Sequence, residues 1–122
     1  MEDKIKLYIQ KIAREEELPI PTVVFKYWDL DRALGELILR KDGKPPLLLL
    51  NQHMIDKLDD FKAQNDYFSI WDTILHEIAH IRFYNHNDKF WEYFEELKNF
   101  YPEMDFWNFC FPKIETSVYK VS

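Results

Sequence analysis

Between Tyr67 and Phe83 the chain repeats apolar residues at helical spacing, and this helix carries His76-Glu77-Ile78-Ala79-His80. Residues four apart on a helix lie about 40° apart on one face. Two imidazoles so placed can share one metal ion. With His76 set at 0°, the apolar residues Trp71, Ile74, Leu75, Ile78 and Ile81 fall at roughly 140–260°. The near side carries His80, Glu77, Thr73 and Asp72. Such a helix buries one face and offers His, Glu and His on the other. Glu77 is rotated by about 100° from His76 and can act as general base toward a metal-held water. An ordinary amphipathic helix with two surface histidines is the competing reading.

A catalytic zinc usually has three protein ligands and an open position. His86 is the leading third candidate. It follows His80 by six residues, where Asn85 can adopt a left-handed turn and Asn87 or Asp88 can cap the next helix. Glu92, Glu95 or Glu96 on that next helix would give a His-His-Glu set instead. Asp72, one turn before His76, is a candidate to orient an imidazole. Tyr84, Tyr101 and Tyr119 are candidates to stabilise an oxyanion. His53 stands alone and reads as structural or solvent-facing.

The rest of the chain predicts an α+β fold. Asp3–Leu18 reads as a helix buried through Ile5, Tyr8, Ile9 and Ile12. Pro19 and Pro21 end it. Thr22–Trp28, Gly35–Arg40 and Leu47–Leu50 read as three strands, the last two joined through the Asp42-Gly43 turn. Gln52–Phe61 reads as a helix and Lys62–Asp66 as a loop. A helix carrying Phe90, Phe94 and Leu97 stops at Pro102. Ten aromatic residues lie between Phe90 and Phe111, which predicts a ring-rich core. The tail from Lys113 to Ser122 has no clear class.

The 122 residues suit one domain of residues 1–122, with helix 1–18, sheet 20–51, active-site and following helices 67–100 and a terminal segment 101–122. Cys110 is the single cysteine, which excludes an internal disulfide and any multi-cysteine metal site. No apolar run is long enough for a membrane helix, so the expected setting is cytoplasmic, with no membrane partner. A formal net charge of −6 with scattered lysines and arginines argues against a nucleic-acid surface.

The stretch HEIAHIRFYNHNDKFWEYFEE, His76 to Glu96, resembles the SprT-like and YgjP-like (WLM-type) zinc metallohydrolases, through His76, Glu77, His80, His86, Phe90 and Trp91. Arg32-Ala33-Leu34-Gly35, Leu49-Leu50-Asn51 and Asp72-Thr73-Ile74-Leu75 extend the similarity upstream. The chain is also similar in size and layout to the archaeal minigluzincins. The spacing of His86 matches the metzincins, but Phe83 stands where their motif has glycine. The resemblance implies a small zincin fold, with Zn2+ held by His76, His80 and His86 and with Glu77 as base. The YgjP-like members are described more loosely as metal-dependent hydrolases, so the resemblance leaves the substrate class open; the main expectation is zinc-dependent hydrolysis of a peptide or protein substrate. No four-cysteine zinc ribbon follows, and the charge is acidic, so a role on DNA–protein crosslinks is not expected. The alternatives are a metal-dependent hydrolase of a non-peptide substrate and a non-catalytic zinc-containing binding module. Cys110 and the segment Phe109–Ser122 could fold over the cleft and make the protein latent.

Overall fold

The computed structural model describes residues 2–29, 32–57 and 70–111. The architecture is α+β. In chain order it comprises α1 (Glu2–Glu15), β1 (Thr22–Lys26), β2 (Gly35–Ile38), β3 (Leu47–Asn51), α2 (Gln52–Asp56), α3 (Ile70–Arg82), α4 (Asp88–Phe100) and α5 (Glu103–Cys110). The expected Lys62–Asp66 loop, the end of the Gln52–Phe61 helix and the Lys113–Ser122 tail fall outside the described residues.

The sheet runs β1-β3-β2, with β3 parallel to β1 and antiparallel to β2. Side chains alternate between its faces. Leu48 and Leu50 are fully buried at its centre. Their register partners Val23, Phe25, Gly35 and Leu37 complete an inner face against the helices. Gly35 is a gap in that face. A Cβ there would lie 3.1 Å from both Glu77 Cγ and Thr73 Cγ2, so glycine lets α3 approach β2.

Asn51 joins the sheet to α2. Its side chain is fully buried, accepts a hydrogen bond from His53 N and donates one to the Trp28 carbonyl. It therefore caps α2 and fixes the chain leaving β1. His53 itself is exposed, with its ring against Tyr27. β1 ends at Lys26, short of the expected Trp28, because its partner β3 ends at Asn51 opposite Lys26 and the Trp28 carbonyl is taken by the Asn51 side chain.

α1 stops at Glu15 and not at Leu18. Leu18 N reaches back to Ala13 O at 2.8 Å and Glu17 N to Arg14 O at 3.1 Å, while Glu17 has φ 57°. This is a Schellman ending with glutamate in the place glycine usually takes. Just before it, the Glu16 carboxylate accepts hydrogen bonds from the Tyr93 and Tyr101 hydroxyls at 2.8 and 2.9 Å. The Glu16 carbonyl accepts one from Arg82 at 2.7 Å. One residue thus ties the end of α1 to α3 and α4.

α5 was not anticipated from the sequence. It buries Phe106 and Cys110 beside α1, with Phe106 edge-on to the Tyr8 ring at 5.1 Å. This accounts for part of the aromatic density between Phe90 and Phe111 as core.

Candidate metal centre

α3 is held from behind by Ile70, Ile74, Leu75, Ile78 and Ala79, all buried. That burial fixes the rotation of the helix and turns His76 and His80 outward on the same face. The chain then reverses between α3 and α4. Asn87 N donates to Asn85 O at 2.8 Å, a three-residue turn centred on His86. The Asn87 side chain next caps α4 by accepting from Phe90 N at 3.0 Å. The left-handed residue expected at Asn85 is absent. Among the described residues only Glu17 and Gly43 have positive φ. The short turn does the same work and carries His86 back over α3.

The result is a triangle of Nε2 atoms. His76 and His80 lie 3.2 Å apart, His80 and His86 3.0 Å, and His76 and His86 3.2 Å. His80 Nδ1 faces the Phe83 carbonyl at 3.2 Å. A carbonyl only accepts, so Nδ1 carries the proton and Nε2 turns its lone pair into the triangle. Nitrogens around a tetrahedral zinc, at about 2.0–2.1 Å each, stand roughly 3.3 Å from one another. The observed edges fall within a few tenths of an ångström of that. The donor set and its spacing therefore fit a divalent cation. Burial above all, and then the charges of His80 and His86, hold the His76 pKa down to about 4. Burial also lowers that of His80, against the opposing hydrogen bond to Phe83. Neutral rings are the form that binds metal.

Glu77 is 7% exposed. Its pKa is pushed up to about 7, first by burial and then by the charge of Glu36 on β2. No protein group among the described residues hydrogen-bonds its carboxylate. It lines, with the three histidines, a cleft of about 350 Å³. Gly35, Glu36 and Leu37 of β2 wall one side of this cleft and Tyr84 another. An adjoining cleft of about 230 Å³ runs past Gly35 to Asp72 and Thr73.

The other candidates separate clearly. Among the described residues His76, His80 and His86 form the one group of potential metal donors, and Glu92, Glu95 and Glu96 are exposed outside it. Glu95 sits 3.7 Å from Lys98. Asp72 is near enough to favour protonated His76, and it also pairs with Lys98 at 3.5 Å. Tyr101 is committed to Glu16, so it does not serve the cleft. Tyr84 does line it. Tyr119 lies outside the described residues. Cys110 is buried in the core, with its thiol pushed up to about 11, and is not one of the metal donors. Sequence reasoning missed Glu36. Strand alternation gave no signal for it, since it turns Glu36 to the face opposite Gly35; its charge reaches Glu77 through the close approach of α3 to β2 at that glycine.

No curated protein and no solved structure matches the chain. A family model described as the WLM domain matches residues 56–113, just under half of the chain. Over the segment that carries all three histidines and Glu77, the chain is therefore similar to the WLM domain, a family of zinc-metallopeptidase-like domains.

Proposed function

We propose that this protein is a zinc-dependent metallopeptidase in which His76, His80 and His86 hold the metal and Glu77 is the general base. The observation that carries this is the convergence of three Nε2 atoms beside a buried carboxylate on the same helix, all opening into one cleft. A bound Zn2+ would supply Lewis-acid polarisation of a carbonyl and make water more acidic. Glu77 takes the proton of the attacking water and returns it to the leaving nitrogen. Its position in a poorly solvated wall keeps the carboxylate basic enough for both steps. Of the candidate tyrosines among the described residues, Tyr84 lines the cleft, and we assign it the donation to an oxyanion.

A peptide fits the cleft better than the alternatives. Among the described residues β2 pairs only with β3, so its other edge is open where it walls the cleft. An extended peptide can add to such an edge through backbone hydrogen bonds. A phosphate ester would call for cations. Neither Arg82 nor Lys89 lines the cleft, and Arg82 is engaged with the Glu16 carbonyl and the Tyr93 ring. A binding module has no use for a buried base. The closer kinship to SprT-like proteins or minigluzincins rests on the sequence resemblance alone.

The test is cleavage of a quenched fluorogenic peptide library by zinc-loaded wild type and Glu77→Ala. The variant should keep one zinc per chain and lose turnover. Turnover at the wild-type rate in that variant would end the reading. Latency through the C-terminal segment is a separate arm. Cutting after Tyr101 would strip Phe106 from the core, so the informative truncation is after Phe111. A gain in peptidase rate there supports latency, and an unchanged rate rejects it.

A further inference from the structure

The three rings of the triangle are not held alike. His76 and His80 project from a packed helix, and His80 is also fixed by the Phe83 carbonyl. His86 is exposed, sits in a turn between helices, and makes polar contacts only with the other two rings among the described residues. A surface imidazole on a loop has several rotamers available, and ordering it on metal binding costs entropy. What faces it is aromatic. The Trp91 indole lies parallel to the His86 ring, 19° between planes and 5.5 Å between centroids. Phe90 meets His86 edge-on at 4.9 Å. Trp91 also touches His76, at 6.0 Å, and leans on Phe94.

Trp91 is 46% exposed and half of a large apolar ring is left in water. Its neighbours Phe90 and Phe94 are buried and fill the core. Core packing therefore accounts for Phe90 and Phe94 but not for the placement of Trp91. We propose that Trp91 is a positioning residue of the metal centre. Its indole holds the His86 ring with Nε2 turned into the triangle and so sets the affinity of the site for a divalent cation. The proposal rests on the metal reading given above.

Two effects act in the same direction. In the metal-free protein the stack restricts His86 before the ion arrives, which lowers the ordering cost. In the metal-bound protein the imidazole carries part of the cation's charge, and the indole face attracts a positive neighbour more than a neutral one. The stack is therefore stronger with metal than without, and only such a difference can move a binding equilibrium. Groups that orient a ligand typically contribute about 10–100-fold to metal affinity.

The experiment is a zinc titration of the full chain against a chromophoric chelator, for wild type, Trp91→Ala, Trp91→Phe, His86→Ala and the Trp91→Ala/His86→Ala pair. Metal-free thermal unfolding of each checks that the fold is kept. Trp91→Ala should weaken zinc binding by roughly 10-fold or more, Trp91→Phe by less, because it keeps a ring face. In the His86→Ala background Trp91→Ala should cost nothing further, because the indole acts through His86. Wild-type affinity in Trp91→Ala would overturn the proposal. So would an equal loss in both backgrounds, which would mean that Trp91 does not act through His86. Absence of zinc binding by wild type would instead remove the metal site itself, and this proposal with it.

Discussion

Replacing Glu77 by Gln in the metal-free protein should stabilise it, and by an amount that depends on pH. The carboxyl is 7% exposed and its pKa rises from 4.5 to about 7. At about 1.4 kcal/mol per pH unit, keeping it ionised in the fold costs roughly 3 kcal/mol. Below pH 4.5 the group is protonated in folded and unfolded chains alike, and glutamine, its isostere, brings no gain. Between pH 4.5 and about 7 the unfolded chain gives up the proton while the folded chain keeps it. The penalty therefore grows through that window and is complete above it. The assay is urea unfolding of wild type and Glu77→Gln with a chelator present, followed by far-UV circular dichroism at pH 4.5 and pH 8. His76 also titrates abnormally, but it does so in both proteins and cancels in the difference. The variant should gain about 3 kcal/mol at pH 8 relative to its value at pH 4.5, or about 10 °C in Tm. A difference that does not change with pH would refute the argument that Glu77 sits in a wall too dry for its charge.

Three further outcomes follow from the fold. Glu17→Gly should stabilise by about 0.5–1 kcal/mol in chemical denaturation, since φ 57° suits glycine and strains glutamate. Gly35→Ala should destabilise by about 1–3 kcal/mol, because its Cβ meets Glu77 and Thr73 at 3.1 Å. On the proposed function, peptidase activity should fall more than zinc content in that variant, as the crowding falls on Glu77 and not on the histidines. Asn51→Ala should cost about 2 kcal/mol, read by thermal unfolding, through loss of the α2 cap and an orphaned Trp28 carbonyl.

Much of the site could be read in the sequence because it is local. The helical pattern of Trp71, Ile74, Leu75 and Ile78 is enough to orient His76 and His80, and the Asn87 cap marks the joint that holds His86. The strands and the Gly43 turn were legible for the same reason. What was hidden depends on distant partners. The insertion of β3 between β1 and β2 is a non-local pairing that no local pattern encodes. The early end of α1 rests on a glutamate in a glycine conformation, which has no compositional signature. Tyr101 looked free for catalysis because nothing in its own segment points to Glu16, far back in the chain. Glu36 raises the pKa of Glu77 only because Gly35 lets two elements approach. α5 lay within a stretch already noted for its rings, but Pro102 and Pro112 left it too short to stand out by periodicity.

The triangle has one more consequence. All its donors come from the segment His76 to His86, within one helix and the turn after it. Closing so short a loop around an ion costs little chain entropy, and a donor set this compact can assemble without the sheet. Glu77, by contrast, gets its dry environment from burial in the packed fold, with Glu36 of β2 beside it. Under the proposed function, metal capture and base activation would thus be written into different levels of the structure. If zinc is the ion, a partly unfolded chain could retain it, and that would blunt the stabilisation the metal gives to the native state. A full complement of zinc in a preparation is then no certificate of native molecules, and the environment of Glu77 is the better one.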